Sequence, residues 1–171
     1  LSNIIFRQSR GNSLYVSEVL NLLVDQELVY MEGDKWNWCI DIIQEKLGDT
    51  DSIVDLVTNK MKTMPSAAQE VLKAVSCLGQ IIDESSLFIT LQKEPSQVID
   101  SINLSIAAGM LVSIPTVGKY SFPHEKIQEA ASSLITNEEK SEYFIMLGRR
   151  LWRGSDEGTL PSNIFTVVNL L

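Results

Sequence analysis

The sequence predicts a mainly α protein that carries one small β-hairpin near its start and a helical domain with a two-stranded wing after it. Apolar residues recur at helical spacing through most of the segments between residues 12 and 152. Two pairs of short apolar or alternating stretches, Leu28–Met31 with Trp36–Ile40 and "MLVSI" with "KYSF", are each joined by turn-forming residues. From Pro65 to Leu134 the order is helix, helix, helix, two strands, helix. That order is the one of a winged helix, a helix-turn-helix variant with a hairpin appended.

The elements follow in turn. In "NSLYVSEVLNLLVDQ", residues 12–26, Tyr15, Val19 and Leu22 form one stripe with Val16, Leu20 and Leu23 beside it, and Asn12 stands at the N-cap position after Gly11. The turn "EGD" separates the two strands of the first hairpin. In the second strand Trp36, Trp38 and Ile40 share a face, which predicts that the tryptophans cover the edge of a core. Ile53, Val57, Met61 and Met64 are spaced as a helix that Pro65 ends, with the two methionines in the core. Ser66 and Gln69 read as a capping box for the next helix, whose stripe is Ala68, Val71, Leu72, Val75 and Leu78 before Gly79. Cys77 lies near that stripe and reads as an inert, buried thiol.

A shorter helix is predicted from about Asp83 with Leu87, Phe88 and Leu91 inward, and another from Glu94-Pro95 with Val98, Ile102 and Ile106, stopping at Gly109. The strands "MLVSI" and "KYSF" flank the turn "PTVG". A helix with Ile127, Ala130, Ala131 and Leu134 follows. Thr136 and Glu139 form a capping box for a helix to about Trp152, and "PSNIFTVVNLL" begins one more.

The chain has 171 residues, room for one ordinary domain or two small ones, with 44% hydrophobic and 21% charged residues. The formal net charge of −8 repels phosphate backbones. Between residues 65 and 135 four lysines stand against seven acidic residues, and "EPSQVIDSINLSIAAG", the helix that would enter a major groove, has no Lys or Arg. Nucleic acid is not an expected partner. No apolar run reaches the roughly 20 residues of a membrane span, no signal peptide opens the chain, and the two cysteines fit a reducing, cytoplasmic compartment. The start at Leu1 and the close on "FTVVNLL" read as a piece cut from a longer protein.

Catalysis within the chain finds no support. Neither a G-x-x-x-x-G-K-[ST] loop nor a G-x-G-x-x-G after a strand is present. There is no G-x-S-x-G elbow, and no grouping of His, Cys and carboxylates has metal-ligand spacing.

"RGNSLYVSEVLNLLVDQELV" resembles the G-N-P-hydrophobic stretch that opens the helical lid of AAA-type and STAND-type signalling ATPases. "WNW", "SIVDLVTNKMKTMPSAAQEVLKAVSCLG" and "YSFPHEKIQEAASSLI" follow in the order and spacing of those proteins. The resemblance extends over nearly the whole chain and is closest to the ATPase modules of large multidomain kinases, between serine/threonine-kinase-like and histidine-kinase regions. It implies a helical lid over residues 1–64, a winged helix over 65–135 and the first helices of a helical repeat array over 136–171. It also implies an upstream nucleotide-binding domain in the same parent chain that holds ATP or ADP with Mg. This chain would then catalyse nothing alone and bind no cofactor alone, while its downstream helices offer a surface to protein partners.

In such relatives a Met-His-Asp motif at the strand-to-helix junction reaches the phosphates of bound ADP. Here the junction reads Pro123-His124-Glu125, so the resemblance assigns His124 to the cofactor. It likewise places Gly11, Asn12 and Ser13 on the family's G-N-P, with Ser13 where the base-contacting proline would stand. Read from the residues alone, Asn12 starts a helix, and His124, the one histidine of the chain, either caps a helix or meets an anion at its N-terminus. A plain protein-interaction module, indifferent to nucleotide, is the competing expectation.

Overall fold

The computed structural model describes residues 1–9, 11–43, 53–155 and 166–170. The chain is mainly α and divides into two compact units, Leu1–Asn59 and Lys60–Leu171. In the first unit α1 (Ser2–Ser9) packs on α2 (Ser13–Asp25), and α2 on β1 (Val29–Glu32), which pairs antiparallel with β2 (Lys35–Trp38). Tyr15, Val19 and Leu23 are buried along α2. Asn12 caps that helix as its spacing predicts, its Oδ1 accepting the Tyr15 N–H at 3.2 Å.

The far end of α2 closes in a Schellman turn. The Glu27 N–H reaches the Val24 carbonyl at 2.9 Å and the Leu28 N–H reaches Leu23 at 2.8 Å, with Glu27 left-handed at φ 55°. The hairpin pairs Val29 with Trp38 and Met31 with Trp36 around Gly33 and Asp34. These four side chains share a face, but only Val29 is buried; Met31, Trp36 and Trp38 are 57%, 53% and 43% exposed. The predicted core edge is therefore open. The strand also ends at Trp38, because residues 40–43 turn into a helix and Ile40 leaves the ladder.

The boundary between the units falls inside α3 (Ile53–Thr63), on which Met61 is fully buried and Met64, just beyond, half-buried. Pro65, not Ser66, is the N-cap of α4 (Ser66–Leu78), and no side chain caps it. The predicted capping box is absent because Gln69 points backwards across the turn. Its Nε2 donates to the carbonyls of Met64 at 2.8 Å and Lys62 at 3.1 Å, satisfying acceptors around the end of α3.

α4 is the centre of the second unit, with Ala68, Val71, Leu72, Ala74, Val75 and Leu78 all buried. It packs against α5 (Glu84–Leu91), α6 (Pro95–Ala107) and α7 (Glu125–Ser133). Its broad apolar face lets one helix meet three. α6 ends in a second Schellman turn, here with Gly109 at φ 76°, and buries Met110 and Leu111 just after it.

A three-stranded antiparallel sheet in the order β3-β5-β4 stands beside the helices, built from β3 (Ile81–Asp83), β4 (Val112–Ser113) and β5 (Lys119–Ser121). β3 pairs Ile82 with Tyr120, and β4 pairs Ser113 with Tyr120 from the other side. α7 stops at Ser133, with Leu134 as its C-cap. α8 (Asn137–Gly154) packs on α5 and buries Leu147 and Leu151. Half of the predicted capping box forms: the Thr136 hydroxyl accepts the Glu139 N–H at 3.3 Å, while the Glu139 carboxylate accepts from that same hydroxyl at 3.0 Å rather than from a backbone N–H. Residues 166–170 are helical, and the start expected for that helix at Pro161 lies outside the described residues.

Candidate functional site

His124 is placed by the sheet. β5 is held on both edges, by β3 and β4, and delivers the chain through Phe122 and Pro123 to the first turn of α7. His124 is extended there, at φ −154° and ψ 146°, the N-cap geometry. Its Nδ1 accepts the Lys126 N–H at 3.1 Å, and its carbonyl accepts Ile127 at 3.1 Å and Gln128 at 3.3 Å. The imidazole is exposed. With Nδ1 committed as an acceptor, the neutral ring carries its proton on Nε2, the nitrogen away from the helix. His124 therefore caps α7, and its second ring nitrogen takes no part in that cap.

The charges around it are mixed. Glu125 lies exposed in the first turn. Lys126 is drawn to Glu129, its Nζ at 2.7 Å, and that hydrogen bond raises the ammonium pKa. An open depression of about 670 Å³ runs along α7, between Ser76 of α4 and Thr136, Asn137 and Lys140 of α8. Glu125 and Glu129 line it and His124 does not.

Gly11, Asn12 and Ser13 belong to the first unit, and His124 to the second. Gly11 is left-handed at φ 82° and turns the chain from α1 to α2. The Asn12 carboxamide oxygen is occupied by the Tyr15 cap, and Ser13 is the exposed first residue of α2. The Gly11 N–H is held by the Ser9 hydroxyl at 3.3 Å.

One polar cluster escaped the sequence reading. Tyr120 of β5 donates its hydroxyl to the Glu84 carboxylate at the start of α5, and the Glu84 N–H reaches the Gly118 carbonyl at 3.0 Å. Burial and the Glu84 carboxylate push the Tyr120 phenol up to about 12. Asp83 beside it caps α5, accepting the Ser86 N–H at 2.8 Å and the Ser86 hydroxyl at 3.1 Å, with Ser85 as a further donor. Burial pushes its carboxyl up, but these bonds outweigh burial and hold it below the ordinary 3.8. The cluster joins strands and helix that are 36 residues apart in sequence between Glu84 and Tyr120, a distance at which no local pattern operates. It ties β5 to the start of α5, in addition to the two ladders that hold the strand.

Cys77 is half-buried and its thiol pKa is raised by burial, which keeps it protonated and slow to react; Cys39 is exposed. Among the described residues no group of three His, Cys, Asp or Glu side chains could hold a metal ion. Among the same residues no helix is long and apolar enough to cross a membrane.

The chain is similar to part of the hybrid signal transduction histidine kinase G of Dictyostelium discoideum, at 26% identity over 192 aligned positions. The alignment takes in 90% of this chain and 6% of that protein, so the chain spans a small part of the relative's length. No protein-family model matches the chain. No solved structure matches it.

Chemically, the His124 junction can donate one hydrogen bond to an anion without dismantling its cap. It offers no nucleophile paired with a base and no second imidazole.

Proposed function

We propose that this chain is a regulatory, non-catalytic portion of a signal-transduction protein, with residues 1–64 as the helical lid of a STAND or AAA-type ATPase module. Residues 65–135 are its winged helix, and residues 136–171 begin a helical repeat array. The second unit's order of helix, strand, two helices, two strands and helix supports the winged-helix assignment. The similarity to a signal transduction histidine kinase supports the setting. The two free thiols fit a reducing, cytoplasmic one.

In this reading an upstream nucleotide-binding domain of the same parent chain binds ATP or ADP with Mg, and the winged helix closes on it through His124. The carrying observation is the ring itself: Nδ1 is engaged by Lys126, so Nε2 is the donor presented at a helix N-terminus. A switch of this kind requires the nucleotide to bind the closed and open arrangements with different affinity. Gly11, Asn12 and Ser13 contribute by setting the start of the lid helix α2. Nucleic acid and membrane have no part in it.

Hydrogen exchange on a protein that includes the upstream domain tests this. ADP slows exchange at the Lys126 and Ile127 amides if α7 closes on the phosphates. Unchanged exchange there, with ADP bound, removes His124 from the nucleotide site.

The alternative is a protein-interaction module that ignores nucleotide. It is favoured by the open apolar face of the hairpin, where Met31, Trp36 and Trp38 are exposed together.

A further inference from the structure

We infer that the groove between α5 and α8 docks an acidic, amphipathic helix of a partner protein. The groove measures about 810 Å³. Its floor is apolar, from Phe88 and Ile89 on α5 and Ile145 and Met146 on α8, all half-buried and so still reachable. The floor is firm as well, since a Cβ added to Gly154 would come within 2.5 Å of Ile89 Cγ2.

One wall is cationic. Arg149, Arg150 and Arg153 line it, three of the five arginines in a chain of net charge −8. Arg150 is anchored by its Nη1 on the Thr90 carbonyl at 2.8 Å, which ties α8 to α5. Arg149 and Arg153 are exposed, and lie one helical turn apart on the same face of α8. None of the three forms an ion pair among the described residues, and Glu142 is the one carboxylate in the lining.

The charge decides the occupant. A cationic wall within an acidic chain selects carboxylates, and the apolar floor selects a ligand with side chains to bury, which a phosphate backbone lacks. A helix with carboxylates four residues apart matches Arg149 and Arg153, and its apolar stripe matches the floor. Nothing in this inference depends on nucleotide, so it and the switch reading can fail separately.

The test is fluorescence anisotropy of a labelled amphipathic peptide, with Leu on one face and Glu on the other, against the 171-residue chain. Binding is expected to weaken as salt rises, and R149E/R153E is expected to weaken it by about tenfold or more. K35E/K119E, which changes net charge equally at other places, is expected to leave it nearly unchanged. The milder R149Q/R153Q, with retained helical circular dichroism, guards against loss of fold. The inference is overturned if the Leu–Glu peptide does not bind, if both charge-swap variants lose affinity equally, or if a peptide with Ser in place of Leu binds as well.

Discussion

His124 accepts the Lys126 backbone N–H on Nδ1 at 3.1 Å, and that one bond fixes both what the ring does for the fold and what it can still offer. The cap takes the acceptor nitrogen, and the donor nitrogen is left outward. The structural and the chemical roles therefore sit on different atoms, and substitution can separate them. His124→Ala removes the cap and is expected to cost about 1 kcal/mol, whereas His124→Asn, which caps through its own oxygen, should stay within roughly 0.5 kcal/mol of wild type. Urea denaturation followed by circular dichroism checks both values.

The two Schellman turns give a second prediction. Gly109 takes the left-handed position after α6 at φ 76°, but Glu27 takes it after α2 at φ 55°. A side chain there strains the backbone, and Glu27 is exposed. Glu27→Gly is expected to stabilise the first unit by about 0.5–1 kcal/mol, and Gly109→Ala to destabilise the second by a similar amount. Thermal melts of the two variants should move in opposite directions.

Asp83 predicts a pH dependence. Its folded pKa lies below the ordinary 3.8, so the cap contributes its full stability above that pH and loses it as pH falls through the lower folded value. Asp83→Ala is expected to cost about 1 kcal/mol at neutral pH, and the gap from wild type to narrow as the medium is acidified below the ordinary 3.8. A gap that is constant or widens on acidification would contradict the assignment of the carboxylate as the cap.

All three tryptophans are half-exposed or nearly so: Trp36 53%, Trp38 43% and Trp152 52%. Acrylamide is expected to quench the native chain almost as efficiently as the urea-unfolded one. Strong protection in the native state would mean that the Met31–Trp36–Trp38 face is covered in solution.

That tryptophan face also marks the limit of what the sequence can reveal. Alternation in "WNWCI" shows which side chains share a face, but not whether anything lies against it. Most helices were legible because they carry their own period, α4 showing Ala68, Val71, Leu72, Val75 and Leu78 buried as spaced, whereas the short α1 (Ser2–Ser9) was not read. β3 was not, since three residues between Gln80 and a helix hold no period, and its pairing partner Tyr120 is far along the chain. The Ser66–Gln69 pair satisfied a capping pattern, yet Gln69 found free carbonyls behind it and the helix began at Pro65's cap. At the candidate site, the N-cap position of His124 was readable from the strand-to-helix switch. Its tautomer was not, because which ring nitrogen faces the Lys126 N–H depends on a side-chain rotation no sequence pattern records, and neither was the Glu84–Tyr120 joint on β5, which rests on tertiary geometry.

The most direct test of the nucleotide switch is calorimetric titration of ADP into a protein that joins this chain to the nucleotide-binding domain proposed upstream of it, comparing wild type with His124→Asn. The variant keeps the cap but has no donor where Nε2 stands, its own amide N–H being drawn back on a shorter side chain. If His124 meets the phosphates, ADP affinity falls by about tenfold or more, the scale of one hydrogen bond to a charged group. Equal affinity in the two proteins, with the fold intact, would contradict the account and leave His124 as the cap of α7 alone.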